Sequence, residues 1–166
     1  MTDSDPHWDS AQEGAELVGE GEHAQAVALL TQQLEREPEN EYVYFFLGAA
    51  YFELEQYDRA LKSYLSALQL KPDYLGAMVH VGHSLRMLGR YPEAIRMARQ
   101  VLARAPDDSD GLFLIGSASF ARGDDAQARV HLERFLETNP EIEVATEVQG
   151  MLQLIQQRAG LVEDSD

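Results

Sequence analysis

Two histidines are the residues of this chain whose spacing could support metal chemistry. His80 and His83 are three residues apart, so on one helix they face the same side and could share a metal ion. A site with two histidines needs further ligands, and no Asp or Glu lies close to this pair in the sequence. We therefore expect two surface histidines, no bound metal and no cofactor.

The sequence contains no arrangement that is typical of catalysis. It has no phosphate-binding loop, no dinucleotide-binding glycine motif, no nucleophile elbow and no HExxH zinc motif. Cysteine is absent, which excludes disulfides, thiolate nucleophiles and cysteine-based zinc sites. The sequence therefore predicts a protein that is not an enzyme.

Acidic residues dominate the charge and concentrate near the N-terminus. The formal charge is −16, and residues 1–41 contain eleven acidic groups against one basic residue, Arg36. Such a surface repels nucleic acids and anionic membranes and favours a neutral or basic partner, and it also keeps a protein in solution. The N-terminus lacks the features of a signal peptide, and no apolar run approaches the about 20 residues of a membrane helix. We expect a soluble, acidic, cytoplasmic protein that neither binds nucleic acid nor inserts into a membrane.

Small and special residues recur at a fixed interval of 34 residues. Each unit has a glycine at its eighth position, an alanine at its twentieth and a proline near its end. These residues are Gly14, Gly48, Gly82, Gly116 and Gly150; Ala26, Ala60, Ala94 and Ala128; and Pro38, Pro72, Pro106 and Pro140. We expect the glycine to face the alanine, so that two helices of one unit approach each other closely.

The second unit, residues 41–74, resembles the tetratricopeptide (TPR) repeat, a helix–turn–helix unit of 34 residues. The resemblance is carried by Tyr44, Leu47, Gly48, Tyr51, Ala60, Tyr64, Ala67 and Pro72. It implies an all-α fold, a right-handed α-α superhelical solenoid of four TPR units followed by a C-terminal capping helix.

The repeat period fixes the expected domain organisation. We predict a single domain over 7–158, between a disordered segment at 1–6 and an acidic tail at 159–166. The repeats span 7–40, 41–74, 75–108 and 109–142, and the capping helix spans 143–158. Helices A lie near 7–20, 41–54, 75–88 and 109–122, and helices B near 23–36, 57–70, 91–104 and 125–138.

Two local features conflict with a uniform repeat. Residues 42–52 form a continuous nonpolar run that propensity alone assigns to a strand, but the repeat period places it in helix A. The turn between helices A and B contains a glycine in three repeats, at Gly21, Gly89 and Gly123. The second repeat has Glu55 there, so we expect a different turn conformation.

The resemblance also implies that the A helices line a concave groove, where particular repeat positions face a ligand. The predicted partner-binding residues are Trp8, Tyr42, Phe45, Ala49, Phe52, Val79, His83, Arg86, Phe113, Ser117 and Phe120. Aromatic side chains beside small ones form pockets that suit apolar anchors of a partner. The alternative is that these aromatic residues pack between repeats, as we expect for Tyr44, Tyr51 and Tyr64.

The predicted groove lacks a clamp for carboxylates. TPR domains that bind the acidic C-termini of heat-shock chaperones use lysine and asparagine at groove positions where this chain has Phe45 and Ala49. Arg86 beside His83 is the cationic feature of the groove. We expect Arg86 to contact a carboxylate or carbonyl of the partner, or to pair with Glu53.

The sequence thus predicts a non-catalytic protein–protein interaction module that binds an apolar segment of a partner, as an adaptor or a chaperone. The alternative is an assembly scaffold that associates with itself, for example as a homodimer, through the surplus of aromatic residues in the second repeat and through Leu154, Leu161 and Val162. The chain is also similar to type III secretion translocator chaperones in length, acidity and the final helix. Those proteins show three repeats behind an N-terminal helix, whereas four repeats fit this chain.

Overall fold

The computed structural model describes residues 5–163, with side chains as far as residue 160. Within this part of the chain there are nine α-helices and no strand. The helices are α1 (Pro6–Gly19), α2 (His23–Arg36), α3 (Glu41–Glu53), α4 (Tyr57–Leu70), α5 (Leu75–Met87), α6 (Tyr91–Arg104), α7 (Ser109–Arg122), α8 (Asp125–Glu137) and α9 (Ile142–Glu163). The predicted all-α fold is confirmed, and α1 to α8 begin and end within one residue of their predicted bounds.

The last helix is longer than predicted. We expected it to end at residue 158, but α9 continues to Glu163. The added segment, 159–163, contains alanine, leucine and glutamate, which favour helix. Part of the predicted acidic tail is therefore helical. Residues 164–166 of that tail, and residues 1–4 of the predicted disordered segment, lie outside the described residues.

The nonpolar run of the second repeat is helical, and an N-cap residue determines where its helix begins. Asn40 precedes α3, and its side-chain oxygen accepts hydrogen bonds from the backbone N–H groups of Tyr42 and Val43, both at 3.1 Å. This cap satisfies two of the donors that a helix start leaves without partners. Val43 and Leu47 then enter a core shared with α1 and α2. Capping and burial thus outweigh the strand propensity of the run.

The chain divides into two compact units, unit 1 (Met1–Gly89) and unit 2 (Arg90–Asp166). Unit 1 contains α1 to α5, and unit 2 contains α6 to α9. The buried core of α1 to α3 in unit 1 consists of Ala11, Ala26, Leu30, Val43, Leu47 and Ala50. The core of unit 2 consists of Leu112, Ala128, Leu132, Phe135, Val148 and Ile155. The predicted single domain over 7–158 stays a prediction.

The glycine at the eighth repeat position lies under a large side chain. A Cβ atom added to Gly48 would lie 2.8 Å from Cδ1 of Tyr64, and one added to Gly116 would lie 2.6 Å from Cδ2 of Leu132. Tyr64 and Leu132 occupy the twenty-fourth position of their repeats, so the atoms nearest to this glycine belong to that residue. The expected contact of the glycine with the alanine at the twentieth position stays a prediction. The alanine at the twentieth position is fully buried, and the missing Cβ of the glycine makes room for the larger residue.

The turn between α3 and α4 has the same conformation as the glycine turns. Glu55 has a φ of 58°, in the left-handed region, as Gly21 does with 81°. Its N–H donates to the carbonyl of Phe52 at 2.9 Å, and the N–H of Gln56 donates to that of Tyr51 at 2.8 Å. The expectation of a different turn was wrong, because these helix-closing hydrogen bonds require the left-handed residue whatever its type. Glutamate adopts it at a cost of about 1–2 kcal/mol.

Helix α9 covers the outer side of unit 2, as predicted. Val148 and Ile155 are fully or almost fully buried in the core that α9 shares with α8. Near its C-terminal end, Arg158 donates a hydrogen bond to Asp125 at 2.9 Å, and its guanidinium carbon lies 4.8 Å from the ring centroid of Phe120. Among the described residues, no helix combines the length and apolar character that crossing a lipid bilayer requires.

Candidate functional site

The candidate site of unit 1 is the surface that α1, α3 and α5 form with the predicted partner-binding residues, which we call the A-helix face. At one edge of this face, Trp8 of α1 meets Tyr42 of α3 edge to face, with ring centroids 5.6 Å apart. Tyr42 also meets Tyr74, in the turn before α5, at 5.9 Å. Trp8 is 42% exposed, so this edge presents an aromatic surface to the solvent.

Phe45 lies at the centre of an aromatic cluster. Its ring stacks on Tyr74 with centroids 4.9 Å apart, and it contacts the rings of Phe46, Tyr64 and His80 at 5.3, 5.5 and 5.4 Å. Tyr64 itself is fully buried. The half-buried Phe45 thus contributes to packing within unit 1, and its predicted contact with a partner stays a prediction.

The middle of the A-helix face combines a small residue with a further aromatic ring. Ala49 is half-buried and follows Phe45 by one turn of α3. Phe52 is half-buried as well, and its ring meets that of Tyr57 at 5.1 Å. Val79 of α5 is only 5% exposed, which leaves little of its side chain for a partner. Ala49 and Phe52 are therefore the more accessible predicted contacts.

The two histidines of α5 have ring centroids 6.3 Å apart. The pKa of His83 is lowered to about 3, mainly by burial and in smaller part by the positive charge of Arg86 and by the neighbouring His80. His83 is therefore neutral at physiological pH, and of the predicted cationic pair only Arg86 carries a charge. No group of three or more His, Cys, Asp or Glu side chains that could hold a metal ion occurs in the described part of the chain.

The predicted site residues of unit 2 lie on α7 and pack into its core. The ring of Phe113 meets that of Phe135 at 5.3 Å, and Phe120 lies beneath Arg158. Ser117 is 2% exposed, and its hydroxyl donates to the carbonyl of Leu114 at 3.3 Å. These contacts stabilise unit 2, and a role of the three residues in partner binding stays a prediction.

Sequence reasoning missed a buried polar residue that supports the A-helix face. Asn40 is fully buried, and its Nδ2 donates to the carbonyl of His7 at 2.9 Å and to Glu37 at 2.8 Å. With its two cap bonds to α3, it joins α1, the end of α2 and the start of α3. The signal was present, because asparagine before a helical pattern is a favoured N-cap.

Comparisons with known proteins agree with this architecture. Two family models described as tetratricopeptide repeat match residues 17–80 and 82–143. Superkiller complex protein 3 of Mus musculus is 31% identical over 116 residues, which are 70% of this chain and 7% of that protein. The chain thus spans only a small part of this curated relative.

Solved structures share the fold at low sequence identity. The structure of MamA 41-end from Desulfovibrio magneticus RS-1 has a TM-score of 0.73 and 18% identity, with 98% of both chains covered. The second TPR domain of human RPAP3, in complex with the HSP70 peptide SGPTIEEVD, has a TM-score of 0.64 and 21% identity, and the match covers 68% of this chain and 95% of that domain. Because the two family models together match most of the residues from 17 to 143, this chain belongs to the tetratricopeptide repeat family.

Proposed function

We propose that this chain is a non-catalytic adaptor or chaperone-like module that binds an apolar segment of a partner protein on the A-helix face of unit 1. The observation that carries the proposal is the set of partly exposed aromatic rings on this face. Trp8, Tyr42 and Phe52 are not fully covered by the protein, and the small Ala49 lies between the last two along α3. Large rings around a small residue provide the pockets in which apolar anchors bind.

The fold supports a protein ligand, and the local chemistry supports an apolar one. Human RPAP3 uses a related domain to hold a peptide that ends in acidic residues. This chain has Phe45 and Ala49 at the groove positions where TPR domains that bind the acidic C-termini of heat-shock chaperones use lysine and asparagine. Unit 1 also has fifteen acidic residues against five lysines and arginines, which disfavours an acidic segment. A neutral or basic segment with apolar anchors fits this surface better.

The experiment has two stages. The purified protein captures partners from a lysate, crosslinking and peptide mapping define the bound segment, and that segment is then titrated as a synthetic peptide. We expect Phe52→Ala to weaken its binding about tenfold or more, because aromatic anchors dominate such interfaces. Ala49→Leu should have a similar effect by filling the space between the rings.

Leu65→Ala is the matched control, because Leu65 is 47% exposed on α4, outside the A-helix face. The Leu65→Ala variant should bind the peptide with the same affinity as the unmodified protein. If Phe52→Ala and Ala49→Leu both bind the peptide as tightly as Leu65→Ala does, the A-helix face is not the binding surface and the proposal fails.

Self-association is the second candidate function, and unit 2 carries the observation that favours it. Val130 of α8 and Leu154 of α9 are 55% and 47% exposed, and Ile142 at the start of α9 is 81% exposed. Where such side chains join in one contiguous patch, they provide a surface for association. Light scattering over a range of concentrations tests it, since a mass that stays monomeric excludes a scaffold role. The similarity to type III secretion chaperones and the cytoplasmic location remain predictions.

A further inference from the structure

An ammonium group lies in the corner between two tyrosine rings at the edge of the A-helix face. The Nζ atom of Lys71 is 5.4 Å from the ring centroid of Tyr42 and 5.6 Å from that of Tyr74. The two ring centroids are 5.9 Å apart, and the ring planes meet at 71°. Both distances are within the range of cation–π attraction, so the two rings together form a cradle for a cation.

The surroundings of the cradle reinforce its preference for a positive charge. A hydrogen bond to Tyr42 raises the pKa of Lys71, and the carboxylates of Glu41 and Asp73 raise it further. Trp8, whose ring meets that of Tyr42 edge to face, adds an exposed aromatic ring. The site thus offers a cation-binding corner directly beside an apolar surface.

We propose that this corner, formed by Tyr42 and Tyr74, binds a lysine or arginine side chain of the partner protein, and that Lys71 occupies it until the partner displaces it. The inference rests on the proposed function and specifies its ligand as an apolar segment with a basic residue next to an anchor. Lys71 is the C-cap residue of α4, and its long, flexible side chain extends from there into the corner. The excess of acidic residues in unit 1 attracts a ligand of this charge.

The alternative is that Lys71 is a permanent clasp between the two tyrosines and never leaves. A tethered lysine competes at the high effective concentration that its short connection provides. Removing it tests whether the open corner prefers a cation, and the response of Lys71 itself to an added cation separates the two interpretations. An open corner binds an added cation better than the occupied one does, whereas a surface without cation preference gains nothing.

The test uses hexylammonium and the neutral hexanol as probes, at constant ionic strength, and follows the fluorescence of Trp8, the one tryptophan of the chain. In Lys71→Met, we expect hexylammonium to bind about tenfold more tightly than in the unmodified protein, and hexanol to bind equally in both. Adding Tyr74→Leu to Lys71→Met should abolish the preference for the ammonium. Lys62→Met is the matched control, because Lys62 is the other lysine of the chain and is exposed on α4.

A second measurement works on the protein without substitution. After reductive methylation with carbon-13, the methyl resonance of Lys71 should be shifted by the two rings, and hexylammonium should move it towards the position of Lys62. The proposal is overturned if hexylammonium shows no advantage over hexanol in Lys71→Met, if Lys62→Met produces the same gain, or if the Lys71 resonance does not respond. None of these outcomes affects the Phe52→Ala and Ala49→Leu titrations, so the failure of this inference is distinguishable from failure of the proposed function.

Discussion

Phe45 and Phe52 lie on the same helix, two turns apart, and the structure gives their rings different surroundings. Phe45→Ala removes a ring that contacts four aromatic neighbours. Because Phe45 is half-buried, we expect a loss of about 3 kcal/mol in the free energy of unfolding, the lower end of the range for buried phenylalanines. In a chain of this size that loss lowers the melting temperature by roughly 6–12 °C.

Phe52→Ala should be much milder. Within the described part of the chain its ring meets Tyr57, and an aromatic pair of this kind contributes about 0.5–1.5 kcal/mol beyond the area it buries. The loss of this pair alone corresponds to a fall of roughly 1–6 °C in the melting temperature, and the apolar area that the half-buried ring buries adds to it. Phe52→Ala should therefore stay folded, so a loss of affinity in this variant reports on partner binding.

Urea and thermal unfolding, followed by circular dichroism, measure both effects. The urea dependence of the unfolding free energy should be unchanged, so that the midpoint alone reports stability. Phe45→Leu is the control, since it keeps most of the apolar volume and should lie between the unmodified protein and Phe45→Ala. Equal midpoints for Phe45→Ala and Phe52→Ala would refute the reasoning, because the aromatic cluster around Phe45 would then contribute nothing to stability.

Three further predictions concern the framework of the repeats. Asn40→Ala should lower the unfolding free energy by about 2–4 kcal/mol in urea titrations, because it removes the cap of α3 and the hydrogen bonds from Asn40 to His7 and Glu37. An effect below that of Leu65→Ala would contradict it. Gly116→Ala should destabilise the protein by about 1–3 kcal/mol, because the added Cβ overlaps with Leu132. Gly150 has the same repeat position on α9, but no neighbouring atom lies within 4 Å of an added Cβ. Gly150→Ala should therefore stabilise the protein by about 0.5–1 kcal/mol. Nδ1 of His7 donates a hydrogen bond to Oε2 of Glu41 at 2.8 Å, and this bond raises the pKa of His7 above 6.5. Its contribution to stability is therefore complete below pH 6.5 and disappears as the pH rises through the raised pKa. Since the His7 side chain is 46% exposed, the contribution is at most about 1 kcal/mol, and thermal melts of His7→Gln should lack that pH dependence.

The repeat period predicted the helices well because it depends on the spacing of residues, and this spacing determines which residues face the core. Helices α2 and α4 have the bounds that the period assigns to them. The period also predicted the helix at residues 42–52 correctly, although the propensity of these residues favours a strand. Where it failed, at the end of α9, no repeat punctuation follows, and the helix continues as far as its local propensity carries it.

The candidate site was harder to predict, because a repeat position gives the direction of a side chain and not its neighbours. Phe45 has the position of a groove residue, but Tyr74, from the turn before the next helix, stacks on it. Lys71 also belongs to that turn, and its contact with Tyr42 depends on a flexible side chain that no pattern locates. Burial of His83 likewise removes a charge that its position suggested.

The contact between the eighth-position glycine and the residue at position twenty-four lies within one repeat, as Gly48 with Tyr64 and Gly116 with Leu132 illustrate. A gene segment that encodes one repeat therefore carries both partners of the contact. When such a segment is duplicated, the new helix pair already contains both residues of this contact. Only its contacts with the neighbouring repeats must then adapt. Leucine and tyrosine both occur opposite the glycine, so selection can vary the large partner while the small one stays fixed.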